Sequence, residues 1–191
     1  MSQLTRPQAV ILRTALQNDP TISGQIGIAD QPILDYLNAA TTFKVWRTTT
    51  PVADIQDQVV WANFTPSNPT AAPDVLSANN TLNWLLACQG KQFNLQNLLS
   101  AGNSGGIATG KPNIRAGLQD ACSQIPSGTG GLARTGGWTG GIQLIIQRAA
   151  TKAEQLLATG TGTQASPGDL VFDGIINGSD LYIILNRDGL G

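Results

Sequence analysis

The residues of this chain that could do chemistry fall into a few groups, and spacing decides what each can do. Gly105-Gly106-Ile107-Ala108-Thr109-Gly110-Lys111 has the GxxxxGK spacing of a phosphate-binding loop. Magnesium would need a Ser or Thr hydroxyl at the next position, where Pro112 offers neither hydroxyl nor N–H. The segment also follows a helical pattern, not a strand, so it reads as a glycine-rich loop running into a Pro-started helix. Asp54 and Asp57 stand i,i+3 in an expected first turn, where acids suit the helix dipole. Asp169 and Asp173 flank an expected strand and would share a face, but no third ligand is near, so a solvated face is expected. Arg148 and Lys152 stand i,i+4, with Glu154 two further on. On a helix surface such a pair stabilises by only ~0.2–0.5 kcal/mol, which makes these solubility or interface residues.

Several chemistries are closed by composition. There is no histidine, which removes imidazole bases, His-containing triads and His metal ligands together. Cys88 and Cys122 form no CxxC pair and are too few for a disulfide framework, so both are expected reduced and buried on helices. No catalytic residue, metal site or cofactor is expected, and the chain does not read as an enzyme. Trp46, Trp61, Trp84 and Trp138 read as core or interface anchors. Only Arg47 beside Trp46 interleaves charge with them, whereas binding single strands by groove and stacking needs both.

The chain of 191 residues can bury a real core without a staple, and 1–191 is expected to fold as one domain. Eleven Lys and Arg against twelve Asp and Glu leave a net charge of −1. Charged residues are 12% of the chain, roughly half the usual share, and Glu154 is its one glutamate. Neutral amides and hydroxyls must therefore build the polar surface, and neither a polybasic nucleic-acid binder nor an acidic tail fits. No apolar run approaches the ~20 residues a spanning helix needs, and the N-terminus has no uninterrupted signal-peptide core. No membrane role and a reducing cytoplasm are expected.

The pattern predicts a mainly α fold: a helical bundle with one or two short strands near the C-terminus and long Gly-rich loops. Thr5 and Gln8 have capping-box spacing, Pro7 lies in the first turn, and Ala9, Leu12 and Leu16 make a stripe that Asp19-Pro20 ends. A second helix starts near Asp30 with Ile33, Leu34 and Leu37 inward. Phe43 to Trp46 reads as extended, and Thr50-Pro51 opens a helix carrying Val52, Ile55, Val59 and Val60. Phe64 to Pro73 is a connection. Asp74 to about Ser100 has a helical period with a break or kink expected at Gly90. Lys111-Pro112 opens the helix of Ile114, Leu118, Ala121, Cys122 and Ile125. Gly141 to Ala158 looks like the cleanest helix, with Ile142, Ile145, Ile146, Ala149, Ala153, Leu156 and Leu157 on one stripe. Leu170 to Ile176 reads as a strand, and Ser179 as the cap of a short terminal helix. Flexible arms are expected at about 101–113 and 126–141. In the second, seven glycines surround Arg134 and Trp138, and its ordering is expected from a neighbouring chain.

Two stretches carry a resemblance. One is Phe43-Lys44-Val45-Trp46-Arg47-Thr48 leading to Thr50-Pro51-Val52. The other is Arg148-Ala149-Ala150-Thr151-Lys152-Ala153-Glu154-Gln155-Leu156-Leu157-Ala158-Thr159-Gly160-Thr161-Gly162-Thr163, closed by Ala165-Ser166-Pro167. With the strand-then-helix ending, they resemble small virion proteins of tailed bacteriophages, most like the head-to-tail connectors, also called adaptor or head-completion proteins. That resemblance implies a homo-oligomeric ring, commonly of twelve copies, at the neck of the virion. It implies a portal protein on one side, a stopper or tail terminator on the other, and assembly in the host cytoplasm. Packaged DNA would pass without sequence-specific contact. The residues expected at interfaces are Trp138, Arg134, Lys152, Arg148, Trp46 and Arg47. The rival readings are another virion component (tail terminator, tail tube or capsid decoration) and a non-viral module binding a peptide or glycan.

Overall fold

A computed structural model describes residues 4–64, 78–102, 105–126 and 134–187, with backbone only for 78–84. Among them the fold is mainly helical, with eight α-helices and one two-stranded antiparallel sheet. The chain divides into two compact units. Unit 1 is built from 1–46 and 147–191, and unit 2, residues 47–146, is inserted between its two strands.

Unit 1 begins with α1 (Arg6–Asn18), which starts where capping chemistry predicts. Gln8 Oε1 accepts from the Thr5 N–H at 2.8 Å, and Ala9, Leu12 and Leu16 form its buried stripe. The helix α2 (Asp30–Asn38) buries Ile33 and Leu37. Strand β1 (Ala40–Trp46) pairs antiparallel with β2 (Gln147–Thr151), with Val45 opposite Arg148 and Trp46 opposite Gln147. The other edge of β1 is tied to the glycine-rich stretch after residue 160. Lys44 N–H donates to Gly162 O at 2.7 Å, and Trp46 N–H donates to Gly168 O at 3.1 Å. Gly162 permits this approach: a Cβ there would lie 2.0 Å from the Phe43 ring. The helices α7 (Lys152–Leu157) and α8 (Gly178–Ile184) complete a core of Leu12, Leu16, Ile33, Leu37, Ala153, Phe172, Leu181 and Ile184. Each large apolar side chain buried there stabilises by roughly 1.5–3 kcal/mol.

Unit 2 contains α3 (Val52–Gln58), a short turn at Trp61–Phe64, α4 (Ala78–Ser100), α5 (Pro112–Cys122), a turn at Trp138–Ile142 and the single-turn α6 (Gln143–Ile145). Ile55, Phe64, Cys88, Leu95, Leu118, Cys122, Ile125, Ile142 and Ile146 are buried in it. Both cysteines are free and buried, and burial pushes the Cys122 thiol up to about 12.

Five sequence expectations change. Gly141 to Ala158 is not one helix. Its apolar stripe is divided, so that Ile142 and Ile146 are buried in unit 2 while Ala153 and Leu157 join the core of unit 1. Two physical causes override the helical period. β1 needs a hydrogen-bonded neighbour, and Gln147–Thr151 supplies it. Thr151 and Glu154 then form a capping box that starts a new helix at Lys152, with Thr151 Oγ1 accepting from the Glu154 N–H at 3.2 Å. The two strands therefore pair across the insertion and do not cluster near the C-terminus. Leu170 to Ile176 is irregular, not a strand. Phe172 and Ile176 are buried from it, while Asn38 mimics a partner strand by donating to Ile176 O and accepting from Ile176 N. The cap of α8 is Asn177, whose Oδ1 accepts from the Ser179 and Asp180 N–H groups at 2.9 and 3.1 Å. Finally, α4 runs through Gly90 without a break.

Much of the glycine-dense chain expected as arms has internal partners. Gly106 lies against Thr50 O beside the bridge between Thr50 and Ile107, and Gly110 N–H donates to Thr48 O at 3.0 Å. In the second segment 127–133 lies outside the described residues. From Arg134 onward the backbone pairs with Ile125, Cys122 and Val60. The connection after Phe64, the start of the α4 pattern before Ala78 and the Trp84 side chain also lie outside the described residues.

Two glycine substitutions separate these environments. A Cβ at Gly90 meets nothing within 4 Å, so Gly90→Ala is expected to stabilise by up to ~1 kcal/mol through helix propensity. Gly137 has φ +99° and its Cβ would lie 2.0 Å from Gln58 O, so Gly137→Ala is expected to cost about 2 kcal/mol or more. Urea unfolding midpoints of both variants check this, and a destabilised Gly90→Ala would contradict a continuous α4.

Candidate functional site

The densest charge cluster of the described chain lies in unit 1, where β2 turns into α7. Arg148 leaves β2 and Glu154 stands in the first turn of α7. The guanidinium grips the carboxylate with both branches, Nη1 to Oε2 at 2.6 Å and Nη2 to Oε1 at 2.7 Å. Its Nη2 also reaches Asp173 Oδ1 at 2.6 Å. The Glu154 carboxylate further accepts from the N–H groups of Thr151 at 2.9 Å and Gly174 at 3.3 Å. Its side chain is only 2% exposed, against 43% for Asp173. Hydrogen bonding to Glu154 first, opposed by burial, holds the Arg148 guanidinium above its ordinary value. This is a charge clamp in which each Glu154 oxygen meets two donors, and it joins β2, α7 and the 170–176 segment.

Lys152 points elsewhere. Its ammonium stands 5.6 Å from the centre of the Tyr36 ring. The Tyr36 hydroxyl donates to Asp19, which also accepts from the Thr21 hydroxyl at 2.6 Å. The Thr21 and Tyr36 hydroxyls hold the Asp19 carboxyl down to about 2, while burial and then Asp19 push the Tyr36 phenol up to about 12.

The remaining expected interface residues have partners inside their own unit. Trp46 ends β1 with its N–H on Gly168 O. Arg47 N–H donates to Ile146 O at 2.8 Å, and Arg47 O accepts from the Thr109 hydroxyl. Arg134 donates through Nε and Nη2 to Pro126 O, and Trp138 is buried among unit 2 residues. The structure thus joins Arg148 to Glu154 within unit 1, which also holds Trp46 and Lys152, while Arg47, Arg134 and Trp138 belong to unit 2. Asp54 and Asp57 are exposed on α3, and Asp173 serves Arg148 instead of pairing with Asp169. Lys111 precedes α5, while Arg115 donates to Thr109 O and Gly110 O and so closes the GxxxxGK loop from within. No group of three or more Cys, Asp or Glu among the described residues could hold a metal.

Unit 2 also has an open cleft of about 460 Å³ lined by Val52, Gln56, Trp61, Gln96, Leu99 and Ser100. Of these only Trp61 was a candidate from sequence. The two glutamines come from separate helices, and nothing in their local spacing marks them.

The clamp predicts an unequal pair of mutations. Removing Glu154 strands a half-buried guanidinium, so Glu154→Ala is expected to cost about 3 kcal/mol. Asp173→Ala, at an exposed position, is expected to cost less than about 1 kcal/mol. Equal shifts in denaturant midpoint would contradict this. The phenol predicts an alkaline limit. Because the folded pKa is raised, its contribution is complete below the unfolded value near ~10 and is lost as pH rises through about 12. Tyr36→Phe should flatten stability over that window in pH-dependent unfolding curves. Asp19 works at the other end: its contribution is present above ~3.9 and is lost as pH falls through about 2. No family model matches the chain, and no curated protein or solved structure is detectably similar to it, so the functional reading rests on its own residues and geometry.

Proposed function

We propose that this chain is a structural virion subunit of a tailed phage: a ring-forming neck connector that joins portal to tail and leaves a channel for DNA. The observation that carries the reading is the combination of arginines engaged within the chain and large apolar side chains left exposed. The guanidinium groups of Arg13, Arg115, Arg134, Arg148 and Arg187 are engaged within the chain. Large apolar side chains stand outside on both units, with Ile28 77%, Ile175 70% and Phe93 61% exposed. Interface cores are depleted in charge and enriched in such side chains, so a surface of this kind favours association between copies. The near-zero net charge suits a passage for DNA, because each phosphate neutralised by a basic wall would add affinity through counterion release. The two stretches at 43–52 and 148–167 supply the resemblance to connectors. Their charged centre is the Arg148–Glu154 clamp, so in this reading they hold the subunit fold and catalyse nothing.

A phage lacking the protein is expected to yield DNA-filled or leaking heads and separate, normally formed tails. Joined particles would exclude the connector role and leave a decoration or tail component. Negative-stain images of the purified chain, alone and with portal, are expected to show rings.

A further inference from the structure

The cleft in unit 2 has a chemistry that the connector reading does not use. Its volume of about 460 Å³ lies within the range of small-ligand sites. One wall is the Trp61 indole, which is 38% exposed and backed by Phe64 at 6.0 Å between ring centres and 45° between planes. Contact with Phe64 restrains the indole, so ordering it on binding costs little. Facing groups come from α3 and α4. The exposed Gln56 and Gln96 amides make no hydrogen bond with described residues, and each offers both donors and an acceptor. The Ser100 hydroxyl donates to Asn97 O at 3.0 Å and keeps its lone pairs for another donor.

No lining side chain is charged. Gln96, Leu99 and Ser100 belong to the last turns of α4, where the helix dipole is negative and disfavours anions. A phosphate or carboxylate is therefore a poor occupant. A wholly apolar ligand would leave two amides desolvated without partners. The remaining match is a neutral molecule with one apolar face and a rim of hydroxyls.

We propose that this cleft binds a neutral saccharide. The C–H face of a pyranose stacks on Trp61, and its hydroxyls hydrogen-bond to Gln56, Gln96 and Ser100. This site is independent of the connector role, and either can fail without the other.

The test is titration of the 15N-labelled full chain with cellobiose, maltose, lactose and N,N′-diacetylchitobiose, reading amide and indole resonances. At least one sugar is expected to give saturable shifts around Trp61 and residues 96–100. Trp61→Ala should weaken that binding by about tenfold, while Trp61→Phe should keep it within about threefold. Gln96→Ala lies at an exposed position that leaves folding intact, so it keeps the test valid if Trp61→Ala unfolds; it should weaken binding by about fivefold. The absence of saturable shifts with all four sugars would overturn the proposal. So would binding indifferent to Gln96→Ala, or shifts given only by a neutral blocked tripeptide, which would assign the cleft to a peptide backbone.

Discussion

A carboxylate that has lost almost all contact with water must be met by donors, and the one glutamate of this chain is placed under that constraint. Glu154 is held by both branches of Arg148 and by two backbone N–H groups. It cannot be satisfied unless β2 is extended, Thr151 sits at the cap position and Gly174 is brought against the start of α7. These demands are mutually consistent, and meeting one helps to meet the others. A buried ion pair of this kind is weak evidence for high stability but strong evidence for a specified arrangement, since a partly formed version leaves a charge stranded.

The sheet has only two strands, and an isolated pair is marginal in water. Here the pair is supported on its free edge by the glycine-rich 159–168 segment and by the helices that complete the core of unit 1. Strands β1 and β2 are also the points where the chain leaves unit 1 and returns to it. Unit 2 begins with its own closure, Arg47 N–H on Ile146 O. Its glycines at 136 and 137 admit a backbone approach that side chains would block: Phe64 and Cys122 stand against the first, and Gln58 O against the second. High glycine content at these positions therefore serves packing.

Sparse charge unites the internal clamps with the outer surface. With few ionic groups available, those present tie helix ends, as Arg187 ties α8 to Asp30 and Arg13 reaches the last carbonyls of α8. Outside, among the described residues, amides, hydroxyls and exposed hydrocarbon outnumber the few exposed charges such as Asp54, Asp57 and Lys111. Such a surface associates through burial and shape, with little long-range steering or sensitivity to salt. The same neutrality makes the Trp61 cleft suited to hydroxyl-bearing ligands instead of ions.

Local signals carried much of the fold. The capping box at Thr5 and Gln8, the stop at Asp19-Pro20, the Pro-opened helices at 52 and 112 and the strand at 43–46 all follow from neighbours a few residues apart. The buried cysteines follow from helical periodicity. The site was less legible. Arg148 and Glu154 were visible as residues, but their union requires a strand where the apolar period predicts a helix. A capping-box pattern at Thr151 and Glu154 was present locally and signals that new start. Gln56, Trp61 and Gln96 converge from three elements, and no one-dimensional spacing encodes that meeting. Sequence by itself determined the mainly helical class, the low charge and most helix boundaries, because caps, prolines and apolar periods act over one or two turns. Tertiary structure decided that Gln147–Thr151 is extended, that one apolar stripe feeds two cores, and that Glu154 is buried. The first depends on strand partners about a hundred residues away, such as Val45 opposite Arg148, and the burial of Glu154 depends in turn on that strand, so both exist only once the chain has folded.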